Sequence, residues 1–229
     1  MSWREDAKRR VALEAVKHVK DGFVVGLGSG STAAYVIEAI GRLIHKDDLN
    51  VVGVPSSSQA FLLAVRYGVP VTTLDEYPVL DLDIDGADEV DRQLNMIKGG
   101  GGALTREKVV ASAAKQVVIV ADETKLVERL GTTFKVPVEV LPFSLATATA
   151  AVKKLGGNPF LRESKGKVGP MVTDNGNYIV DVDFGPIDDV EELNRQLKLV
   201  PGVVETGLFI GLADRVYLGK KDGIVELKK

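Results

Sequence analysis

The chain has 229 residues, of which 45% are hydrophobic, and its formal net charge at neutral pH is −3. This composition is ordinary for a globular protein with a sizeable core, and the scattered lysines and arginines form no basic footprint for nucleic acid. The sequence contains no cysteine, which excludes disulfides, thiol chemistry and cysteine-bound zinc.

The longest apolar runs fall well short of a membrane span, and the opening segment "MSWREDAKRR" lacks the hydrophobic core of a signal peptide. We therefore expect a soluble, cytoplasmic protein that binds neither membrane nor nucleic acid. The two histidines, His18 and His45, lie among helix-like polar residues without a partner at ligand spacing. We interpret both as exposed helix residues and do not expect a histidine-based mechanism.

Short apolar strands alternate with helical patterns through the first 130 residues. In chain order we predict a helix at 3–20, a strand at 23–28, a helix ending near 43, a strand at 49–55, a helix at 59–68, strands at 69–74 and 79–91, a helix at 104–115 and a strand at 116–122. This alternation predicts a parallel sheet with helices on both faces. Ligands of such sheets gather at the carboxyl ends of the strands.

The pattern changes near Gly131. The next predicted elements are a strand at 134–142, a helix at 144–156, two strands within 167–184 around Asn175-Gly176, a helix at 188–198 and a strand at 202–207. This β-α-β-β-α-β order is typical of a ferredoxin-like module. The remaining residues read as strands with a turn at Asp222-Gly223, which we expect to rejoin the first domain.

These elements predict an α/β protein with two domains. The large domain, residues 1–130 and 207–229, is Rossmann-like with a parallel sheet, and a small ferredoxin-like α+β domain is inserted at 131–206.

A loop rich in glycine and hydroxyl residues, "GLGSGST", follows the first strand and precedes a helix. It departs from the dinucleotide fingerprint, since Ser31 stands where the third glycine belongs, and from the P-loop, since Gly30 precedes Ser31 and Thr32 without a lysine. Glycine backbone and a helix N-terminus still favour an anion, with Ser29, Ser31 and Thr32 as hydroxyl donors. The alternative is a serine or threonine that simply caps the helix. We favour a small phosphate ester.

An acidic stretch, "LDLDIDGADEVD", runs from a strand into a tight bend. A solvated strand face explains Asp81 and Asp83, but it explains Asp85 and Asp88 less well, because they flank the bend at Gly86-Ala87. Clustered carboxylates bind magnesium, hydrogen-bond sugar hydroxyls or transfer protons. Composition alone leaves these roles open.

A run of four glycines, "KGGGGALTREK", leads directly into a helix. A flexible linker is one interpretation, and close approach of the backbone to a ligand is the other. Lys98 precedes the run and Glu107 follows it. Enolisation needs at least two groups: a cation that polarises a carbonyl and, opposite it, a carboxylate that moves a proton. Taken singly, these two residues read as a surface lysine and a helical glutamate. Lys125 follows another strand end, where an anionic substrate is expected.

Taken together, "GLGSGSTA", "DGADE", "KGGGGALTREK" and "ADETK" resemble the type A ribose-5-phosphate isomerase family in order and spacing along essentially the whole chain. Ser29 stands where some members carry threonine, which keeps the hydroxyl. The resemblance implies interconversion of D-ribose 5-phosphate and D-ribulose 5-phosphate through an enediol, in the non-oxidative branch of the pentose phosphate pathway. It implies no metal and no organic cofactor, and a homodimer or homotetramer.

The resemblance also implies a role for each matching residue. Glu107 would be the general base that moves a proton between carbon 2 and carbon 1, and Lys98 would stabilise the developing oxyanion. Asp85 and Asp88 would hold sugar hydroxyls and assist opening of the furanose ring. The other matching positions would bind the substrate, with the Gly/Ser loop at its phosphate end: Ser29, Gly30, Ser31, Thr32, Gly86, Ala87, Gly99, Gly100, Gly101 and Lys125.

Two alternatives remain at this stage. An amino-sugar phosphate deaminase would be expected to use a histidine near the acidic cluster, and none lies there in sequence. A sugar-phosphate-sensing domain of a transcriptional regulator would keep the Gly/Ser loop but lose the catalytic pair, whereas Lys98 and Glu107 are both present.

Overall fold

The structure, a computed structural model, describes residues 2–166 and 168–229. It forms two compact units: the first comprises Met1–Ala87, Arg106–Leu126 and Gly211–Lys229, and the second comprises Asp88–Thr105 and Val127–Ile210. This division differs from the expected one at residues 88–105, 127–130 and 207–210, which group with the second unit.

The chain forms helices α1 (Trp3–Ala15), α2 (Ser31–Asp47), α3 (Ser58–Arg66), α4 (Leu104–Ala113), α5 (Leu145–Lys154) and α6 (Val190–Lys198). The strands are β1 (Val24–Leu27), β2 (Val52–Pro55), β3 (Leu82–Asp85), β4 (Glu89–Val90), β5 (Met96–Ile97), β6 (Val117–Asp122), β7 (Val136–Val140), β8 (Asn158–Leu161), β9 (Tyr178–Asp183), β10 (Val203–Thr206), β11 (Leu208–Phe209), β12 (Arg215–Lys220) and β13 (Gly223–Lys228).

The first unit contains a sheet with the strand order β13-β12-β6-β3-β1-β2. All neighbours pair in parallel except β12 and β13, which form an antiparallel hairpin. Because β12 pairs with β6, the final segment rejoins this unit as expected. The strand predicted at 69–74 is wrong: it is reduced to a bridge between Gly53 and Val71, and Pro70 has no N–H to extend the ladder.

Helices cover both faces of this sheet. Successive side chains of a strand point to opposite faces, and β1 shows the division. Val25 packs in a core cluster with Val11 of α1 and Ile37 of α2. Its neighbour Val24 packs with Val110 of α4 in a separate cluster. The sheet is therefore buried on both sides, which confirms the predicted α/β class.

The second unit contains an antiparallel sheet with the order β10-β7-β9-β8. Its elements follow one another as β7, α5, β8, β9, α6 and β10, which is the predicted β-α-β-β-α-β order. Beside this sheet β4, β5 and β11 form a small antiparallel sheet in the order β11-β5-β4. That pairing holds residues 88–105 in the second unit.

One predicted hairpin is wrong in its first strand. The strand that precedes β9 in the chain and pairs with it is β8, and the residues just before the turn contribute only a bridge between Val172 and Tyr178. Pro159 lies inside β8, where proline is tolerated because the strand is at the edge of the sheet. The same proline concealed the strand in the sequence. Lys167, at the start of the predicted hairpin, lies outside the described residues.

Candidate active site

The Gly/Ser loop connects β1 to α2 in the first unit. Gly30 is the N-cap of α2, and its φ of 95° is a backbone conformation that favours glycine. Ser31 is already the first helical residue, so the interpretation of a serine or threonine cap is wrong. The N–H of Gly30 donates to Oε1 of Gln59 at 2.8 Å. The hydroxyl residues therefore occupy the helix N-terminus without capping it.

Ser29 is held by two serines that follow β2. Its hydroxyl lies 2.9 Å from Oγ of Ser56 and 2.6 Å from Oγ of Ser57. Ser56 also donates to the carbonyl of Leu27, the last residue of β1. Because β1 and β2 are parallel neighbours, their carboxyl ends meet at one edge. The sequence offered only a generic Ser-rich turn as a signal for this cluster.

Asp85 ends β3 at the same edge and is 1% exposed. Its Oδ1 accepts the backbone N–H of Ser29 at 2.9 Å and that of Gly86 at 2.7 Å. A Cβ on Gly28 would lie 2.2 Å from this oxygen, so the approach requires glycine. The bend at Gly86-Ala87 thus orients the carboxylate as well as ending the strand.

The interpretation of Asp83 as part of a solvated face is wrong, because its side chain is only 1% exposed. A Cβ on Gly26 would lie 2.5 Å from Oδ1 of Asp83 and 2.6 Å from Val110 of α4, which shows how closely this face is covered. Asp81 accepts from Lys115 Nζ at 2.8 Å and from the N–H of Val24 at 3.0 Å. These two bonds lower the pKa of Asp81, the lysine contributing most.

Lys8 of α1 is a cation at the Gly/Ser loop that sequence reasoning missed. Its Nζ lies 3.1 Å from Oγ of Ser31 and 2.9 Å from Oε1 of Glu5. The hydroxyl of Tyr35, and next the ammonium of Lys8, lower the pKa of Glu5. In the sequence Lys8 is one of many helical lysines, and its separation of 23 positions from Ser31 hides the contact.

Lys125 and Glu107 also belong to the first unit. Lys125 ends a short 3-10 turn, Glu123–Lys125, directly after β6. Asp122 caps this turn by accepting the N–H of Thr124 at 3.1 Å. Glu107 lies in the first turn of α4 and is 6% exposed, and its burial excludes an ordinary surface glutamate. A buried carboxyl group is a feature of general bases.

In the second unit the glycine run is anchored at several points. The N–H of Gly100 donates to Oδ2 of Asp88 at 2.7 Å, and the N–H of Gly102 donates to the carbonyl of Gly99 at 2.9 Å. Gly99 has a φ of 104°, and a Cβ on Gly100 would lie 2.7 Å from Asp88. The interpretation as a flexible linker is therefore wrong, since the glycines permit a defined and tightly bonded backbone.

Lys98 leaves β5 just before this run and is 3% exposed, so it is not a surface lysine. Its backbone N–H donates to the carbonyl of Gly207 at 2.9 Å. Its Nζ lies 5.3 Å from the centre of the Phe209 ring, within cation–π range. Desolvation by this neighbourhood strengthens any electrostatic interaction that the ammonium makes with a ligand.

His18 departs from the expected exposed histidine. It is half-buried, and its Nε2 lies 2.8 Å from the hydroxyl of Tyr217. Burial lowers the pKa of His18.

The two units gather the predicted residues in separate sets. The first unit holds Ser29, Gly30, Ser31, Thr32, Asp85, Gly86, Ala87, Glu107 and Lys125, and the second holds Asp88, Lys98, Gly99, Gly100 and Gly101. Residues 2–166 and 168–229 contain no group of three or more histidine or acidic side chains arranged to hold a metal ion. Along the same stretches no helix has the length and apolarity to cross a membrane.

Comparison with known proteins gives consistent matches. Residues 52–223 match the family model of ribose 5-phosphate isomerase A (phosphoriboisomerase A). Ribose-5-phosphate isomerase A of Thermosynechococcus vestitus is 53% identical over 214 residues, which are 93% of this chain and 91% of the relative. The solved structure of ribose 5-phosphate isomerase A from Methanocaldococcus jannaschii superposes with a TM-score of 0.95 at 48% identity, covering 98% of this chain and 99% of that one. A D-ribose-5-phosphate isomerase solved in complex with phospho-erythronic acid superposes with a TM-score of 0.97 at 40% identity over the full length of both chains.

Proposed function

Because this chain belongs to the ribose 5-phosphate isomerase A family, we propose that its own Glu107 and Lys98 carry the interconversion of D-ribose 5-phosphate and D-ribulose 5-phosphate. The observation that carries this assignment is the burial of both side chains, 6% and 3% exposed. Neither residue is a surface group, and acid–base and electrostatic catalysis both gain from exclusion of water. The family match also favours an isomerase over the deaminase and the sensor.

The reaction moves one proton from C2 to C1 and one from O2 to O1, and it needs no electron acceptor. Starting from the open-chain aldose, Glu107 removes the proton from C2, and negative charge develops on O1. Lys98 stabilises that charge, an effect for which single donors in other enzymes contribute about 10²- to 10³-fold. A proton then returns to C1, O1 is protonated, and O2 loses its proton to become the ketone oxygen. Asp85 and Asp88 hold the sugar hydroxyls and assist ring opening.

The phosphate of the substrate is assigned to the N-terminus of α2. This helix has 17 residues, and its first turn combines backbone N–H groups with the hydroxyls of Ser31 and Thr32. Lys8 supports the assignment, because its ammonium already reaches Oγ of Ser31. Lys125 follows β6 at the carboxyl edge of the same sheet and supplies a second cation.

Phospho-erythronic acid is the compound bound to one solved relative. It joins a phosphate to a carboxylate, and a carboxylate is planar and anionic like an enediolate. We propose that it binds this chain as a competitive ligand. The proposal accounts for a site with a phosphate-binding loop, a buried lysine and sugar-binding carboxylates.

We also propose that the protein is a cytoplasmic homodimer or homotetramer. The family resemblance suggests the assembly, and exposed apolar side chains on the second unit support it, while the metabolic role of the related enzymes favours the cytoplasm. Phe143 is fully exposed, and Leu199 is 68% exposed. Light scattering coupled to gel filtration tests the assembly, and a mass equal to that of one chain would contradict it.

The function is tested by proton NMR with ribose 5-phosphate in D₂O containing excess EDTA. We expect ribulose 5-phosphate to appear with deuterium incorporated, since the enediol proton exchanges with solvent. Glu107→Gln should lose turnover by about 10²- to 10⁴-fold, while Glu191→Gln, at a solvent-facing position of α6, should not. Near-normal turnover of folded Glu107→Gln would remove Glu107 from its assigned role, and no conversion by the parent protein would overturn the function.

A further inference from the structure

Arg162 joins the sheet of the second unit to the glycine run. It directly follows β8, and its guanidinium makes two hydrogen bonds to Asp181 of β9, from Nε to Oδ2 at 2.8 Å and from Nη2 to Oδ1. Its remaining terminal nitrogen, Nη1, donates to the carbonyls of Gly99 at 2.8 Å and Gly100 at 3.1 Å. The side chains of Arg162 and Asp181 are 14% and 22% exposed. One planar group thus holds a carboxylate and two successive carbonyls.

These two bonds orient two peptide groups. In a trans peptide the N–H points opposite to the carbonyl of the preceding residue. The carbonyl of Gly99 faces Arg162, and the N–H of Gly100, on the other side of that peptide, donates to Asp88. By the same geometry, the carbonyl of Gly100 faces Arg162 and the N–H of Gly101 points away from it. Arg162 therefore sets the direction of the N–H groups of Gly100 and Gly101.

We propose that Arg162, locked by Asp181, is a positioning residue for the isomerisation. It holds the peptides from Gly99 to Gly101 in one orientation and so fixes the backbone from which Lys98 extends. The inference rests on the proposed role of Lys98 in stabilising the oxyanion.

The glycines themselves make such a clamp necessary. Gly99 and Gly102 have φ values of 104° and 81°, and glycine reaches many other conformations at similar energy. A loop of consecutive glycines keeps one conformation only if specific contacts offset its conformational entropy. A lysine at position 162 would not replace the clamp, because an ammonium lacks the planar fork that binds a carboxylate and carbonyls together.

A cavity beside the clamp makes chemical rescue feasible. It has a volume of about 630 Å³ and is lined in part by Gly100, Gly101, Arg162 and Asp181. If Arg162 is shortened, a small guanidinium ion can enter this space, pair with Asp181 and donate to the glycine carbonyls. Rescue is measured at a temperature where the variant is fully folded, so restored turnover reports the position of the catalytic groups and not a larger folded fraction.

The test compares Arg162→Ala with the parent enzyme in kcat and KM. We expect kcat to fall about tenfold to a hundredfold, as displaced catalytic groups do, with KM changed less than about threefold, because the lost interaction acts in the transition state. Millimolar methylguanidinium should restore kcat in a saturable way, because alanine leaves room for the ion. Arg129→Ala, which breaks an exposed ion pair with Asp188 in the same unit, is the matched control and should leave both constants unchanged.

Arg162→Lys is used if Arg162→Ala does not fold. We expect its kcat to fall about tenfold at an unchanged melting temperature. A kcat within twofold of the parent in either folded variant, or a loss in folded Arg162→Ala that methylguanidinium does not restore, would overturn the inference. Lys98→Met separates the two proposals. If that variant keeps turnover, the role of Lys98 fails; if it loses turnover while Arg162→Ala does not, only the role of Arg162 fails.

Discussion

The backbone N–H of Ser29 donates to Oδ1 of Asp85 at 2.9 Å, and this bond joins the Gly/Ser loop after β1 to the end of β3. The two strands are parallel neighbours, so both residues lie at the carboxyl edge of the sheet. The same oxygen accepts the N–H of Gly86, which leaves the carboxylate held from two sides. One loop therefore orients both the hydroxyl of Ser29 and a carboxylate assigned to sugar binding.

Gly28→Ala should displace this carboxylate. A Cβ at position 28 would lie 2.2 Å from Oδ1 and 2.5 Å from Cα of Asp85, and backbone atoms cannot move away cheaply. We expect kcat/KM to fall about tenfold to a hundredfold. Gly166→Ala is the control, because an added Cβ there meets nothing within 4 Å among the described residues. Equal kcat/KM in the two variants would contradict the assignment of Asp85.

Thr32→Ala should weaken binding of the phosphate-bearing substrate with little change in kcat. A hydrogen bond contributes about 0.5–1.5 kcal/mol, so KM should rise roughly threefold to tenfold. Lys8→Gln should raise KM further, and more at low salt, because it removes a charge. Thr73→Ala, at an exposed position in the first unit, should leave KM unchanged. An unchanged KM in Thr32→Ala, with binding shown to be at equilibrium, would count against the phosphate assignment.

Glu139→Gln should lower the stability of the second unit. Glu139 is fully buried in β7 and accepts hydrogen bonds from the side chains of Thr105, Thr173, Asn175 and Asn177. The glutamine amide keeps one oxygen for Thr173, Asn175 and Asn177 and turns its –NH2 group toward the hydroxyl of Thr105, so all four hydrogen bonds lose their charged acceptor. Since a hydrogen bond to a charged group contributes about 1.5–3 kcal/mol, we expect the free energy of unfolding to fall by about 2 kcal/mol.

Urea denaturation measures this change, with Glu191→Gln on the outer side of α6 as the control. A loss no greater than in the control would mean that the four donors find other acceptors.

Asp81 should stabilise the fold at neutral pH and lose that effect in acid. Lys115, and next the N–H of Val24, lower its pKa below the ordinary value of 3.8. A carboxyl group whose pKa is lower in the folded protein than in the unfolded chain stabilises the fold at pH values above its unfolded pKa. This stabilisation is lost as the pH falls through the folded-state pKa. Asp81→Asn should therefore cost about 1 kcal/mol at pH 7 and little at acid pH. Asp222→Asn, in the exposed turn between β12 and β13, is the control. If Asp81→Asn lowers the free energy of unfolding equally at neutral and at acid pH, the predicted pH dependence of the Asp81 contribution is refuted.

Much of the fold is predictable because its signals are local. The alternation of apolar strands and helices, the β-α-β-β-α-β order and the turn at Asp222-Gly223 all follow from periodicity and turn chemistry over a few residues. The misses also have local causes. Pro159 concealed an edge strand, and the apolar residues at 69–74 resembled a strand although Pro70 limits them to a bridge. Residues 88–105 group with the second unit because β5, the partner of β4, also pairs with the distant strand β11.

The sequence by itself determined which residues are candidates for the site, because each lies in a short motif whose glycines and strand ends have a local physical meaning. Only the tertiary structure decided what holds them. Lys8 reaches Ser31 across 23 positions, Ser29 reaches Asp85 across 56, and Arg162 reaches Gly100 across 62. Only the tertiary structure, too, decided that Asp83 is buried. Such contacts depend on how helices and strands pack in three dimensions, and no periodicity along the chain records which distant side chains that packing brings together.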